Sequence, residues 1–255
     1  MKRDLSGNRV IVTGAAGNLG RALCHSLGEK GCNIVAVDRD KKALQKLQSD
    51  LAQRRIQCEI HGVDLLNESA SARLWKSLAD KTVHGLILNA GITKIAPFAE
   101  TDDSDFQRIF GINVLACVAA VHILLPALEN ASGFLVGISS VSGFAPLKFR
   151  TAYSASKHAL AGFLESLRAE TQVDVSLVYP SFLTTEIRAD DRSSENPAES
   201  RKARGSLTPD IAAKRIARAI ESRSQRLYIP LQSAVARILW NFAPSLYFRI
   251  MEKRA

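Results

Sequence analysis

Residues 9–23 read RVIVTGAAGNLGRAL. A run of mostly β-branched residues enters a glycine-bearing turn, and the turn enters a helical pattern. Glycines stand at 14, 17 and 20, a GxxGxxG spacing rather than the GxGxxG of the usual dinucleotide fingerprint. The strand–turn–helix context gives the string its meaning. Gly14 can take a turn conformation closed to residues with a Cβ. Gly17 and its neighbours let backbone approach a pyrophosphate, and Gly20 permits close helix–strand packing. The helix start at Asn18 and Leu19 offers unpaired N–H groups and a positive dipole end to phosphates. Asn18 either donates to the ligand or caps the helix. A turn serving structure alone needs one glycine, so the segment reads as a nucleotide-binding βα unit.

The rest of the chain extends this pattern. NIVAV (33–37), QCEIHG (57–62), GLILN (85–89), FLVGIS (134–139), VDVSLVY (173–179) and RLYIP (226–230) read as further strands. Helical patterns lie between them at about 18–30, 41–54, 67–79, 105–129, 152–171 and 209–222. Apolar runs alternating with amphipathic helices imply a parallel sheet covered on both faces. The expected fold is α/β: a single-domain, Rossmann-like doubly wound parallel sheet of about seven strands in an α/β/α sandwich. The domain spans 1–230. Residues 188–206 are polar and charged and read as a mobile substrate lid. Residues 231–255 form an apolar tail broken by Pro244, with Val235, Ile238, Leu239 and Phe242 at helical spacing, then Leu246, Tyr247 and Ile250. Basic residues flank them. The tail either packs on the domain or a partner subunit, or touches a membrane surface.

Composition bounds the function. The chain has 255 residues, 46% hydrophobic and 23% charged, enough for a sizeable core. Four cysteines lack CxxC spacing and call for no metal; they read as reduced, buried residues of a cytoplasmic protein. The N-terminus lacks an apolar leader pattern, and no run of about 18 apolar residues stands out. The formal charge of +9 favours anionic partners, but no nucleic-acid motif accompanies it.

Two further stretches carry chemistry. NIVAVDRD places Asp38 at the end of the second strand. A carboxylate there accepts hydrogen bonds from ribose hydroxyls and repels a 2′-phosphate, which favours NAD over NADP. Arg39 either stacks on adenine or serves NADP. YSASK (153–157) puts Tyr153 and Lys157 four residues apart on one helix face. A free tyrosine, with a pKa near 10, is a poor base at neutral pH, and a nearby lysine cation stabilises its phenolate.

With TGAAGNLG, NAG (89–91), GINV (111–114), ISSVSG (138–143), YSASK and YPSFLTTE (179–186) in this order, the chain resembles the short-chain dehydrogenase/reductase family over about residues 7–230. The resemblance implies roles. Tyr153 is the acid/base, and Lys157 binds the nicotinamide ribose and supports Tyr153. Ser140 holds the substrate oxygen, and Asn113 kinks its helix and holds a relay water. Asp64 and its neighbour Leu65 meet the adenine. Asn89, Ala90 and Gly91 lie beneath the adenosine ribose. Pro180, Leu183 and Thr185 hold the nicotinamide amide and the pyrophosphate. Three positions depart from the family pattern. Ser181 replaces a glycine, Leu88 an asparagine, and the glycine spacing is that of the extended branch, for which the chain lacks a second domain.

The resemblance further implies oxidation of a secondary alcohol or reduction of its ketone, on a hydrophobic, steroid-, retinoid- or lipid-like substrate. Substrate contacts are expected from 94–98, from Ser142 to Lys148 and from 182–206. A homodimer or homotetramer is expected through the helices carrying Asn113 and Tyr153. The alternatives are an NADPH-dependent ketone or 3-oxoacyl reductase, and a nucleotide-sensing scaffold.

Overall fold

The structure, a computed structural model, describes residues 2–181 and 207–252. Among these, β1 (Arg9–Thr13), β2 (Asn33–Asp38), β3 (Cys58–Gly62), β4 (Gly85–Leu88), β5 (Phe134–Ile138), β6 (Asp174–Pro180) and β7 (Arg226–Ile229) form one sheet ordered β3-β2-β1-β4-β5-β6-β7. Every pairing is parallel. The α-helices among the described residues are α1 (Asn18–Gly28), α2 (Lys41–Gln53), α3 (Glu68–Ala79), α4 (Asp103–Phe110), α5 (Ala116–Asn130), α6 (Thr151–Glu170), α7 (Pro209–Glu221), α8 (Leu231–Phe242) and α9 (Pro244–Glu252). The expected lid, 188–206, lies outside the described residues.

The continuous apolar runs are explained by two cores. Val10 and Val12 of β1 join one core, with Leu23 and Leu27 of α1, Leu44 of α2 and Ile216 of α7. Ile11, between them, faces the other, with Trp75 of α3, Leu124 of α5 and Leu164 of α6. Successive strand residues point to opposite faces, so a strand covered on both sides needs every position apolar. Helix starts are capped locally: Asp40 accepts from the Ala43 N–H, Asn67 from Ala70, and Asp102 and Asp105 form a capping box.

One expectation needs correction. The helical stretch 103–130 contains an 18-residue window of mean hydropathy 2.2, apolar and long enough by composition to cross a membrane. Half of that window is buried, and Cys117, Ala120, Val121, Leu124 and Leu128 lie in the second core. The apolar character of the stretch serves to cover the sheet.

The far edge of the sheet is tied by charge. Glu165 of α6 accepts a 2.7 Å hydrogen bond from Arg226 of β7 and pairs with Arg168. Burial pushes its carboxyl up, but Arg226 and Arg168 outweigh this and hold it below the ordinary glutamate value. A depressed carboxyl stabilises the fold above its unfolded pKa, and that contribution is lost as pH falls through the lower folded value. Between about pH 6 and about pH 3, the urea midpoint of the wild type should therefore fall more steeply than that of Glu165→Gln. Parallel slopes in equilibrium unfolding would remove Glu165 from the acid response.

Candidate active site

The residues singled out in the sequence gather at the carboxyl ends of the strands. Thr13 and Gly14 follow β1, Asp38 ends β2, Asn89 follows β4, Ser139 and Ser140 follow β5, and Pro180 ends β6. Strand order turns outward in both directions from β1 and β4, and in such sheets that crevice is where ligands bind.

The glycine turn is built by close approach. Gly14 has φ +64°, and a Cβ there would stand 2.8 Å from Ala90 Cα; a Cβ on Gly20 would stand 2.1 Å from the Gly14 carbonyl oxygen. Gly17, the residue before α1, brings no side-chain cap, and a Cβ on it would meet only the Gly14 oxygen, at 3.3 Å. Among the described residues nothing else would meet a Cβ at Gly17, at the first turn of α1. Asn18 is exposed and Leu19 packs against the first core. The Asp38 carboxylate accepts from the N–H of Ala16 at 3.0 Å and of Asp40 at 3.1 Å. Each oxygen keeps a lone pair for a further donor. Arg39 beside it is exposed. Asp64 is exposed and accepts from the Leu66 N–H at 3.0 Å, while Leu65 packs on the second core. The Val63 N–H donates to the Asp38 carbonyl at 2.9 Å, so this loop lies beside Asp38.

Around Lys157 the contacts are direct. Its Nζ is buried, donates to the Ile138 carbonyl at 2.8 Å and lies 5.7 Å from the Tyr153 ring centroid. Asn113 is fully buried within a π-helical turn, Gly111–Leu115, between α4 and α5. The extra residue of a π turn distorts the helix. The Asn113 side chain accepts from the Ile92 N–H at 2.9 Å and donates to the Ile92 carbonyl at 3.0 Å and to Ser156 Oγ at 2.9 Å. Ser140 caps the short turn 141–143, its Oγ accepting from the Ser142 N–H at 3.2 Å. That turn is pinned to α6 where Ser139 Oγ donates to the Lys157 carbonyl at 3.3 Å. A half-buried phenol, a buried ammonium and a serine hydroxyl at the mouth of one crevice can hold an oxygen and exchange a proton with it.

A family model described as short chain dehydrogenase matches residues 8–196. The chain belongs to the short-chain dehydrogenase/reductase family. It is 32% identical over 270 residues to the dehydrogenase/reductase SDR family protein 7-like of Anopheles gambiae, covering 99% of this chain and 84% of that one. A short-chain dehydrogenase/reductase from Burkholderia phymatum, solved with NAD, shares its fold at TM-score 0.81 and 24% identity over 94% of this chain and 95% of that one. A metagenomic short-chain oxidoreductase solved with NADP aligns at TM-score 0.74 and 25% identity, over 89% and 97%. The protein is an oxidoreductase of this family, and its neighbours hold either nucleotide.

Within the family frame some expectations shift. Leu183 and Thr185 lie outside the described residues. Pro180 is buried at the end of β6, and the following Ser181 N–H donates to the Ile229 carbonyl at 2.8 Å. Asn89 spends its side chain on the Thr13 and Gly14 carbonyls, at 2.9 and 3.1 Å, so it builds the floor of the crevice. The expected substrate wall is split: Ser142, Gly143, Phe144 and Ala145 are buried, whereas Lys148 and Phe149 are exposed. Phe144 packs edge-on against Tyr179 and Tyr228, which removes it from the mouth. Burial pushes the Tyr179 hydroxyl up to about 12.

Two residues escaped the sequence reading. The buried Thr13 Oγ1 accepts from the N–H of Asn89 and of Ala90, both at 3.0 Å, and donates to the Ile87 carbonyl at 3.2 Å. Ser156 Oγ accepts from Asn113 and donates to the Tyr153 carbonyl at 2.8 Å. Their only sequence signals were a polar residue ending an apolar strand and a serine inside YSASK.

Gly20→Ala should wreck the turn, because the Gly14 carbonyl cannot move without breaking its hydrogen bonds from the Gly17 N–H and the Asn89 side chain, both 3.1 Å. We expect loss of roughly 2 kcal/mol or more in unfolding free energy and dinucleotide binding weakened beyond detection by calorimetry. Wild-type affinity in this variant would refute the packing argument.

Proposed function

We propose that the protein interconverts a hydrophobic secondary alcohol and its ketone, with NAD as preferred redox partner. The observation that carries this reading is the buried Lys157 ammonium beneath the Tyr153 ring, at the crevice beside the glycine turn. A dinucleotide fits the residues present: among the described residues no side chain crowds Gly17, which suits a pyrophosphate, and the Asp38 carboxylate has spare lone pairs for ribose hydroxyls. When bound, it supplies the hydride acceptor for oxidation and the hydride donor for reduction.

The chain's own residues then handle the proton and the geometry. In oxidation the Tyr153 phenolate oxygen takes the alcohol proton as the carbonyl forms; in reduction its hydroxyl returns one to the ketone oxygen. The Lys157 ammonium lies 5.7 Å from the centre of the Tyr153 ring, on the side of the crevice where that proton is exchanged. Ser140 Oγ holds the substrate oxygen. Asn113 and Ser156 set the position of α6 relative to the Ile92 loop, and through it the position of Tyr153. Asn113 also holds the relay water that joins Lys157 to solvent. At the mouth, Phe98 and Phe149 are exposed, and the Ala96 N–H donates to the Phe149 carbonyl at 3.0 Å, which supports an apolar substrate. α5 and α6 pair two copies: Leu115 is 63% exposed, and the small residues Ala155, Gly162 and Ser166 are exposed on the neighbouring helix.

A second reading, NADP-dependent reduction of a ketone or 3-oxoacyl group, draws on Arg39, an exposed guanidinium next to Asp38. The Asp38 carboxylate opposes a 2′-phosphate, which supports the reading of NAD as the preferred nucleotide.

Tyr153→Phe should lower kcat on hydrophobic secondary alcohols by roughly 10²–10⁴-fold with NAD affinity unchanged; full activity would discard the acid/base assignment. Asp38→Ala would break the bonds from both the Ala16 and the Asp40 N–H, so Asp38→Asn is the cleaner variant, since it keeps an acceptor for one of them and removes the charge. It should shift the NADP-to-NAD affinity ratio toward NADP by about tenfold or more, read by titration of each nucleotide. An unchanged ratio would overturn the NAD assignment.

A further inference from the structure

We propose that α8 and α9 form a lipid-facing surface that docks the protein on bilayers rich in anionic headgroups. The phase of α8 is fixed by its inward face. Ala236, Leu239 and Trp240 pack on the second core, and Ser233 Oγ donates to the Ile229 carbonyl at 3.1 Å. α9 is anchored by Tyr247, buried, with its hydroxyl donating to the Pro146 carbonyl at 3.0 Å. Trp240 meets Tyr247 and Phe248 edge-on, which locks the two helices together.

With that face committed, the outward face of α8 is apolar along its length. Leu231, Val235, Ile238 and Phe242 follow at spacings that return to one side of a helix, and they are 75%, 57%, 59% and 85% exposed. On α9, Leu246, Phe248 and Ile250 are exposed as well. Scattered exposed apolar residues are ordinary, but an aligned stripe of this kind marks an interaction surface. A helix about 18 Å long can sink such a face into the boundary between headgroups and acyl chains.

Charge selects the occupant. Residues 231–255 carry Arg237, Arg249, Lys253 and Arg254 against the single acid Glu252, in a chain of net charge +9. Arg237 lies over the Phe144 ring at 5.3 Å, and Arg249 is exposed. A two-fold contact between copies would bring the basic groups of both tails, the exposed Arg249 among them, to one interface. Acidic headgroups neutralise them.

The test uses the full chain and vesicles of phosphatidylcholine, alone or mixed with phosphatidylglycerol. Co-sedimentation should be roughly tenfold stronger on the anionic vesicles at low salt and should fall as salt rises. The double variant Ile238→Asp/Phe242→Asp should lose roughly tenfold or more of that binding. Arg249→Glu, at an exposed position that leaves the fold intact, should weaken anionic binding while leaving the weak neutral binding unchanged. Sedimentation velocity without lipid should give the same mass for wild type and double variant. Equal partitioning onto neutral and anionic vesicles, unweakened binding by the double variant, or a smaller assembly in that variant each overturns the proposal; the last outcome assigns the stripe to a contact between copies. None of these readouts depends on catalysis, so they stand or fall apart from the proposed reaction.

Discussion

The Lys157 ammonium is buried, and a buried cation costs several kcal/mol unless its surroundings compensate. Among the described residues no carboxylate pairs with it. The compensation is a carbonyl and a ring: Ile138 accepts its hydrogen bond and the Tyr153 ring lies alongside. Both partners depend on larger features. The Ile138 carbonyl is available because β5 ends there, while the next N–H, from Ser139, goes to Val178 of β6. Space for Nζ exists because residue 91 is a glycine; a Cβ there would sit 3.3 Å from both Nζ and Asn113 Oδ1. One buried charge thus constrains the end of β5, the loop after β4, the π turn and α6.

The other half of the crevice is held by polar groups that serve two purposes. Asp38 reads as a ligand residue from its place after β2, yet its carboxylate already clasps the glycine turn through Ala16. Thr13 saturates its hydroxyl, with two donors received and one given. Burial makes such saturation a requirement, since an unpaired hydroxyl in the core costs about 1–3 kcal/mol. The floor of the site is therefore rigid before any ligand arrives, which is what positioning a reacting atom demands.

These facts explain what could be read in the chain beforehand. The succession of strands and helices and the two cores follow from local rules: apolar runs such as NIVAV must be covered on both faces, and GxxGxxG after a strand must turn into a helix. The residues around Tyr153 were legible as types at fixed intervals. Their bonding was not, because Ser156 and Thr13 act through partners 43 and 76 residues away, a separation that no local pattern encodes. The burial of the wall from Ser142 to Ala145 was not legible for a related reason. Its burial comes from β6, β7 and α6 closing over it, with the Tyr179–Tyr228 stack supplying the surface against which Phe144 packs. The tail was half legible. Helical spacing grouped Leu239 with Val235 and Ile238, and Tyr247 with Leu246 and Ile250. Packing separates them: Leu239 and Tyr247 turn inward and the others turn out.

That separation ties the tail to the site. Phe144 follows the short turn that Ser140 caps, and its ring is held between the Tyr179–Tyr228 pair and the Arg237 guanidinium of α8. Tyr247 of α9 reaches the carbonyl of Pro146, two residues further on. α8 and α9 therefore brace the segment that leads from Ser140 toward Phe149 at the mouth. Interior packing transmits small displacements because it has little room to absorb them. Arg237 of α8 and Tyr247 of α9 thus tie the two tail helices to the segment that follows Ser140.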